Sequence, residues 1–228
     1  MDNILPVITG VDKELNQKSR ATIAEKIYAT FFSYVFHPVF VPVYVSVFLV
    51  YVHPSAFSGF SGADKKQTIL IIILNLVFFP LISVLLLRAV GFIESIYLRT
   101  QKDRIIPYIT SGIFFFWCYL VFKQQPQYPL ILTLFVLGIF LASSVALIAN
   151  IYFKISMHAI GMGSWLGLFF IILKNNEMLM TWPFCIVLLI TGFVCSARIL
   201  IASHQPKDIY MGLFVGILTQ VVAAIVIL

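Results

Sequence analysis

An all-α polytopic integral membrane protein is the fold class this chain predicts, and three observations predict it. Of 228 residues, 61% are hydrophobic and only 11% are charged, with 22 Phe among them. Mean hydropathy is +1.02. Apolar windows of the roughly 20 residues that a helix needs to cross a bilayer recur along the chain. An ordinary soluble surface cannot be made from this composition.

The elements follow in order. Residues 1–26 are polar and mixed in charge, read as a short tail with no signal-peptide pattern, and 27–228 form a single transmembrane domain. Spans are predicted near 27–52, 67–92, 107–122, 129–153, 157–173, 179–202 and 208–228, a bundle of about seven transmembrane helices with six and eight as the bounds. In the first, His37-Pro38 and Pro42 are placed to kink the helix. The loop 53–66, with Asp64-Lys65-Lys66, precedes the second; the third is short and aromatic, and Pro126 and Pro129 set it off from the fourth. Apolar sequence then runs almost unbroken from Leu130 to Leu173. One helix of that length would be about twice the bilayer thickness, so a break is expected near Lys154 and His158. Gly161, Gly163 and Ser164 suit the fifth span to close helix packing. Asn175-Asn176 leads to the sixth, which has Trp182 near its start, and Pro206 and Asp208 fit the start of the last.

The three cysteines, Cys118, Cys185 and Cys195, all fall within apolar spans, which predicts core residues and no disulfide or metal framework. No basic run suits nucleic acid, and no internal repeat is visible. Short loops leave no room for a second domain.

Ionisable groups beside hydrocarbon are costly, so their placement carries information. With seven crossings, residues 1–26, 93–106, 154–158 and 198–208 share one face. That face receives Arg99, Lys102, Asp103, Arg104, Lys154, Ser156, His158, Arg198, His204 and Asp208. A guanidinium can clamp phosphoryl oxygens, an imidazole can attack phosphorus, and a carboxylate four residues on can hold that imidazole in one tautomer. His37 and His53, each followed by proline, read instead as packing or interfacial residues.

These residues carry a resemblance. Arg198-x5-His204-x3-Asp208 has the full spacing of the third signature of the type 2 phosphatidic acid phosphatase superfamily, with Ala197 where the family has Ser. Ser156-Met157-His158 meets the second in part, with Ile155 and Met157 replacing Pro and Gly; Lys102 and Arg104 before Pro107 resemble the first loosely. The resemblance covers about residues 99–216, with a phosphatase-like core at about 67–228. It implies hydrolysis of a lipid phosphate or lipid pyrophosphate through a phosphohistidine, without metal or other cofactor. On that reading His204 is the nucleophile, Asp208 orients it, and His158 is the general acid. Arg198, Arg104 and Lys102 bind phosphoryl oxygens and Ser156 completes the cradle, with Lys154 and Arg99 as looser candidates. Membrane lipids are the expected surroundings and nucleic acid is not a partner.

Other readings stand beside this one. Lys102, Arg104 and Lys207 read equally as cations snorkelling to headgroups, His158 as a helix-end residue, and His204 with Asp208 as a hydrogen-bonded pair at a helix start. Because Met157 stands where the family has glycine, a member that binds a lipid phosphate without hydrolysing it is an alternative. So is an anion or lipid transporter, or a metal-dependent transferase using a lipid pyrophosphate. Eleven of the 15 Lys and Arg lie on the loaded face. Setting aside Arg99, Lys102, Arg104 and Arg198 leaves seven against four, which the positive-inside rule reads as a cytoplasmic site.

Overall fold

The computed structural model describes residues 22–95, 101–174, 180–201 and 204–228. Most of the amino-terminal tail and Arg99 lie outside the described residues. Those described form eight helices and, among them, no strand: α1 (Ile23–Val35), α2 (Val41–Val52), α3 (Gly62–Ala89), α4 (Gln101–Lys123), α5 (Leu130–Tyr152), α6 (Met157–Lys174), α7 (Thr181–Leu200) and α8 (Pro206–Ile227). The last six are long and apolar enough to cross a membrane. The chain is an all-α polytopic membrane protein.

The predicted first span, 27–52, is corrected. It is two short helices, α1 and α2, separated at His37-Pro38. Proline disfavours helical backbone at the residue before it and cannot itself donate, so the sequence kink becomes a break. Phe40 and Val41 restart the chain by donating to the His37 carbonyl at 2.8 and 3.3 Å. The near-unbroken stretch after Leu130 does divide, with α5 ending at Tyr152 and α6 starting at Met157.

Helix starts follow local chemistry. Thr22 and Ser61 cap α1 and α3 in reciprocal boxes with Glu25 and Asp64. In α3 the bonding widens to i→i+5 over Leu74–Phe78, just ahead of Pro80, where a ladder donor is missing.

α5 and α6 are the central helices, buried along most of their length. Leu132, Leu134, Phe135, Met162, Leu168 and Phe169 pack there with Phe57 and Phe122. The closest packing joins α6 to α8. A methyl group on Gly163 would run into the Leu213 backbone, one on Gly216 into the Ile160 carbonyl and the Ser164 amide, and one on Gly167 would lie 3.0 Å from Ile217 Cα. Small residues let membrane helices touch backbone to backbone, where dispersion must replace the hydrophobic drive that lipid removes. Both helices begin at the same end of the bundle, so this seam fixes the site's two halves against each other.

A candidate phosphate site at one end of the bundle

The site is built from helix ends. α6 begins at the end where α5 and α7 finish and where α4 and α8 start. Two cross-links tie these ends: Asn150 Nδ2 donates to the Gln101 carbonyl at 2.8 Å, and the Ser156 amide donates to the Asp208 carbonyl at 3.3 Å. A cavity of about 410 Å³ opens among them. Arg104 of α4, His158 of α6, Arg198 of α7 and His204, just ahead of α8, line its polar part; Leu76, Phe115, Phe135 and Ile139 line its apolar part. Leu76 and His204, 128 positions apart, therefore share one chamber.

His204 has only 8% of its side chain exposed, and its Nδ1 lies 3.5 Å from Asp208 Oδ2. That carboxylate oxygen also accepts the Gln205 amide at 3.1 Å, closing a capping box at the start of α8. Asp208 thus closes the helix end and lies beside the imidazole at once. Burial, then the charges of Arg198 and Lys154, push the His204 imidazole down to about 4 against the opposing pull of Asp208. A neutral ring whose Nδ1–H faces a carboxylate leaves the Nε2 lone pair free to act as a nucleophile.

His158 is nearly enclosed, and its Nε2 lies 3.0 Å from the Ser33 carbonyl. A carbonyl only accepts, so Nε2 carries the proton. Ser33 also meets Arg198, whose Nη1 donates to its hydroxyl at 3.2 Å. One residue of α1 thereby steadies two members of the cluster.

Two predicted members sit elsewhere. Lys102 is exposed and absent from the cavity lining. Side chains two apart on a helix point to nearly opposite faces, so with Arg104 turned inward Lys102 turns out. Ser156 is fully buried and also outside the lining; its hydroxyl accepts the Ala159 amide at 3.4 Å, the action of a cap at the start of α6. Met157 occupies the first position of α6, so the chain makes a helical turn where the notional glycine would allow other backbone shapes.

Two residues beside the cluster are not predicted for it from sequence, where His37 reads as a packing or interfacial residue. His37 lines the cavity, its ring 5.5 Å from that of His158 and nearly perpendicular to it. Partial burial and the Arg198 charge lower its imidazole below the ordinary value. Ser33 had no signal at all, because nothing within α1 marks it as the neighbour of residues 125 and 165 positions away. His53, by contrast, behaves as expected of a structural residue, its Nδ1 accepting the Ala56 amide at 3.1 Å.

Fold and site together define a class: a helical membrane protein with guanidinium and imidazole groups around one cavity at the end of its bundle. Residues 149–227, about a third of the chain, match the family model described as PAP2 superfamily. That stretch holds His158, Arg198, His204 and Asp208. No curated protein and no solved structure matches the chain.

Proposed function

We propose that the protein hydrolyses a phosphate monoester or pyrophosphate carried on a lipid, through a phosphohistidine at His204. The observation that carries this reading is the placement of His204 against Asp208 on the same cavity as Arg104, Arg198 and His158. His204 Nε2 donates its lone pair to phosphorus as the bond from phosphorus to the leaving oxygen breaks. That oxygen takes a proton from Nδ1 of His158 in its imidazolium form, whose Nε2–H stays on the Ser33 carbonyl. Water then attacks the phosphohistidine while His158 takes a proton from it, so inorganic phosphate leaves and both rings return to their starting forms. Arg198 and Arg104 offset charge on the non-bridging oxygens, the contribution that dominates phosphoryl transfer. Asp208 holds the tautomer and favours the positive charge that develops on the ring.

A lipid substrate is supported by the cavity's two-part lining, with charge at the helix ends and hydrocarbon side chains deeper in the bundle. Its volume lies within the range usual for small-molecule sites. Diacylglycerol phosphate, phosphatidylglycerol phosphate and polyprenyl pyrophosphate share the headgroup chemistry this cluster suits. The charge bias of the loops supports a cytoplasmic site.

The test is phosphate release from a panel of these lipids by detergent-purified protein in excess chelator, beside His204→Ala. Release that survives the chelator and is lost in the variant supports the reading. Folded protein that binds the lipids and releases nothing favours a non-hydrolytic lipid-phosphate binder.

A further inference from the structure

The two short helices α1 and α2 precede the family-matched stretch, yet the turn between them closes one side of the cavity. That turn includes His37, which lines the same chamber as Arg104, His158, Arg198 and His204. The His37 Nδ1 accepts the Val39 amide of its own turn at 3.4 Å. Nδ1 is then the bare nitrogen, and the neutral ring carries its proton on Nε2. The edge-on contact with His158 holds the plane of the ring, as does a second contact with Phe40 at 6.3 Å. His37 is therefore a partly exposed ring of fixed tautomer, set among two guanidiniums and two other imidazoles. His53 makes the same turn contact, so what sets His37 apart is the charged cavity that its ring lines.

We propose that His37 is a phosphate-contacting residue of this cavity, donating its Nε2–H to a phosphoryl oxygen. It acts as a hydrogen-bond donor and transfers no proton. The assignment rests on the phosphate reading of the cavity, and it makes the turn between α1 and α2 part of the binding site. Hydrogen bonds to charged groups are worth more than neutral ones, so removal of this donor should be readable in affinity.

The test contrasts two variants of the full chain. In His37→Gln the amide nitrogen reaches about as far as the imidazole Nε2; in His37→Asn the side chain reaches only as far as Nδ1, so the contact to Val39 survives and the donor is lost. Binding of inorganic phosphate is measured by calorimetry on detergent-purified protein, with thermal midpoints recorded alongside. The expected result is about tenfold or greater weakening in H37N, with H37Q within about threefold of the parent, as loss of one charge-assisted hydrogen bond implies. Phosphate bound by H37N as tightly as by the parent overturns the assignment, and so does equal weakening in both variants. A parent chain that binds no phosphate overturns both the assignment and the phosphate reading. Phosphate release from lipid phosphates by the same parent sample decides the hydrolase reading separately, since calorimetry does not depend on turnover.

Discussion

The Ser156 amide donates to the Asp208 carbonyl across 3.3 Å, joining the turn before α6 to the first turn of α8. This bond ties the segment that carries His158 to the one that carries His204. Both sides are further held by caps, Ser156 on α6 and Asp208 on α8. The spacing of the two imidazoles is therefore set by backbone, with no long side chain in between.

A phosphoramidate is labile in acid and stable in base. Turnover with radiolabelled lipid phosphate, quenched in base, should leave label on the parent chain and none on His204→Ala. Phosphate release by that variant should fall by at least about 10³-fold, the scale seen when a nucleophile is removed. Label of unchanged amount on the variant would remove His204 from the reaction.

Asp208→Asn should lower turnover by about 10²-fold or more while phosphate affinity changes little, because the amide no longer fixes the His204 tautomer. It should also cost about 1 kcal/mol of stability through the weakened cap. An active variant of unchanged melting temperature would show that the carboxylate does neither.

The low His204 value has a definite sign in stability. The imidazole titrates near 6.5 when unfolded and at about 4 when folded, so between those limits the unfolded chain binds the extra proton. Stability contributed by the neutral ring is full above about 6.5, declines as pH falls through the window, and levels off below about 4. Thermal midpoints of the parent should drop more steeply between pH 7 and 4.5 than those of His204→Gln. Parallel curves would mean that the ring titrates normally in the fold.

Glycines along the bundle should differ sharply. Gly216→Val would drive a side chain into the Ile160 carbonyl and should cost at least about 2 kcal/mol or prevent folding. Gly192→Ala on α7, with nothing within 4 Å of the added carbon, should be neutral or stabilising by up to about 1 kcal/mol. Similar melting temperatures for the two would contradict the close α6–α8 seam.

Lys102→Ala should leave phosphate release within about twofold of the parent, as for other exposed positions away from the chemistry. Arg104→Ala, which removes a cavity-lining guanidinium, should lower it by about tenfold or more. Equal losses would place Lys102 in the cavity after all.

How much of this could be seen in the chain beforehand depended on the range of the interaction. Hydropathy marked the long helices because a bilayer imposes one length on all of them. The break before His158 was visible because an unbroken helix would have overrun that length. Parity brought Arg104, His158, Arg198 and His204 to one end without any knowledge of packing. The orientation of Lys102 was missed, since motif spacing was weighed there without the helical angle between 102 and 104. The role of Ser156 was misplaced because capping and ligand-binding use the same hydroxyl. Ser33 and His37 depend on how α1 and α2 fold back on distant helices, and Gly212 and Gly216 gained meaning only when their partners on α6 were in place.

The α6–α8 seam also decides which wall of the chamber can yield. Where two backbones already touch, there is no side chain to swing aside and no gap to widen, so α6, which lines the chamber, is backed by a fixed jamb. The lining that α2, α3 and α4 contribute includes the side chains of Val41, Leu76, Leu81, Val84 and Phe115, and that is the flank left free to give.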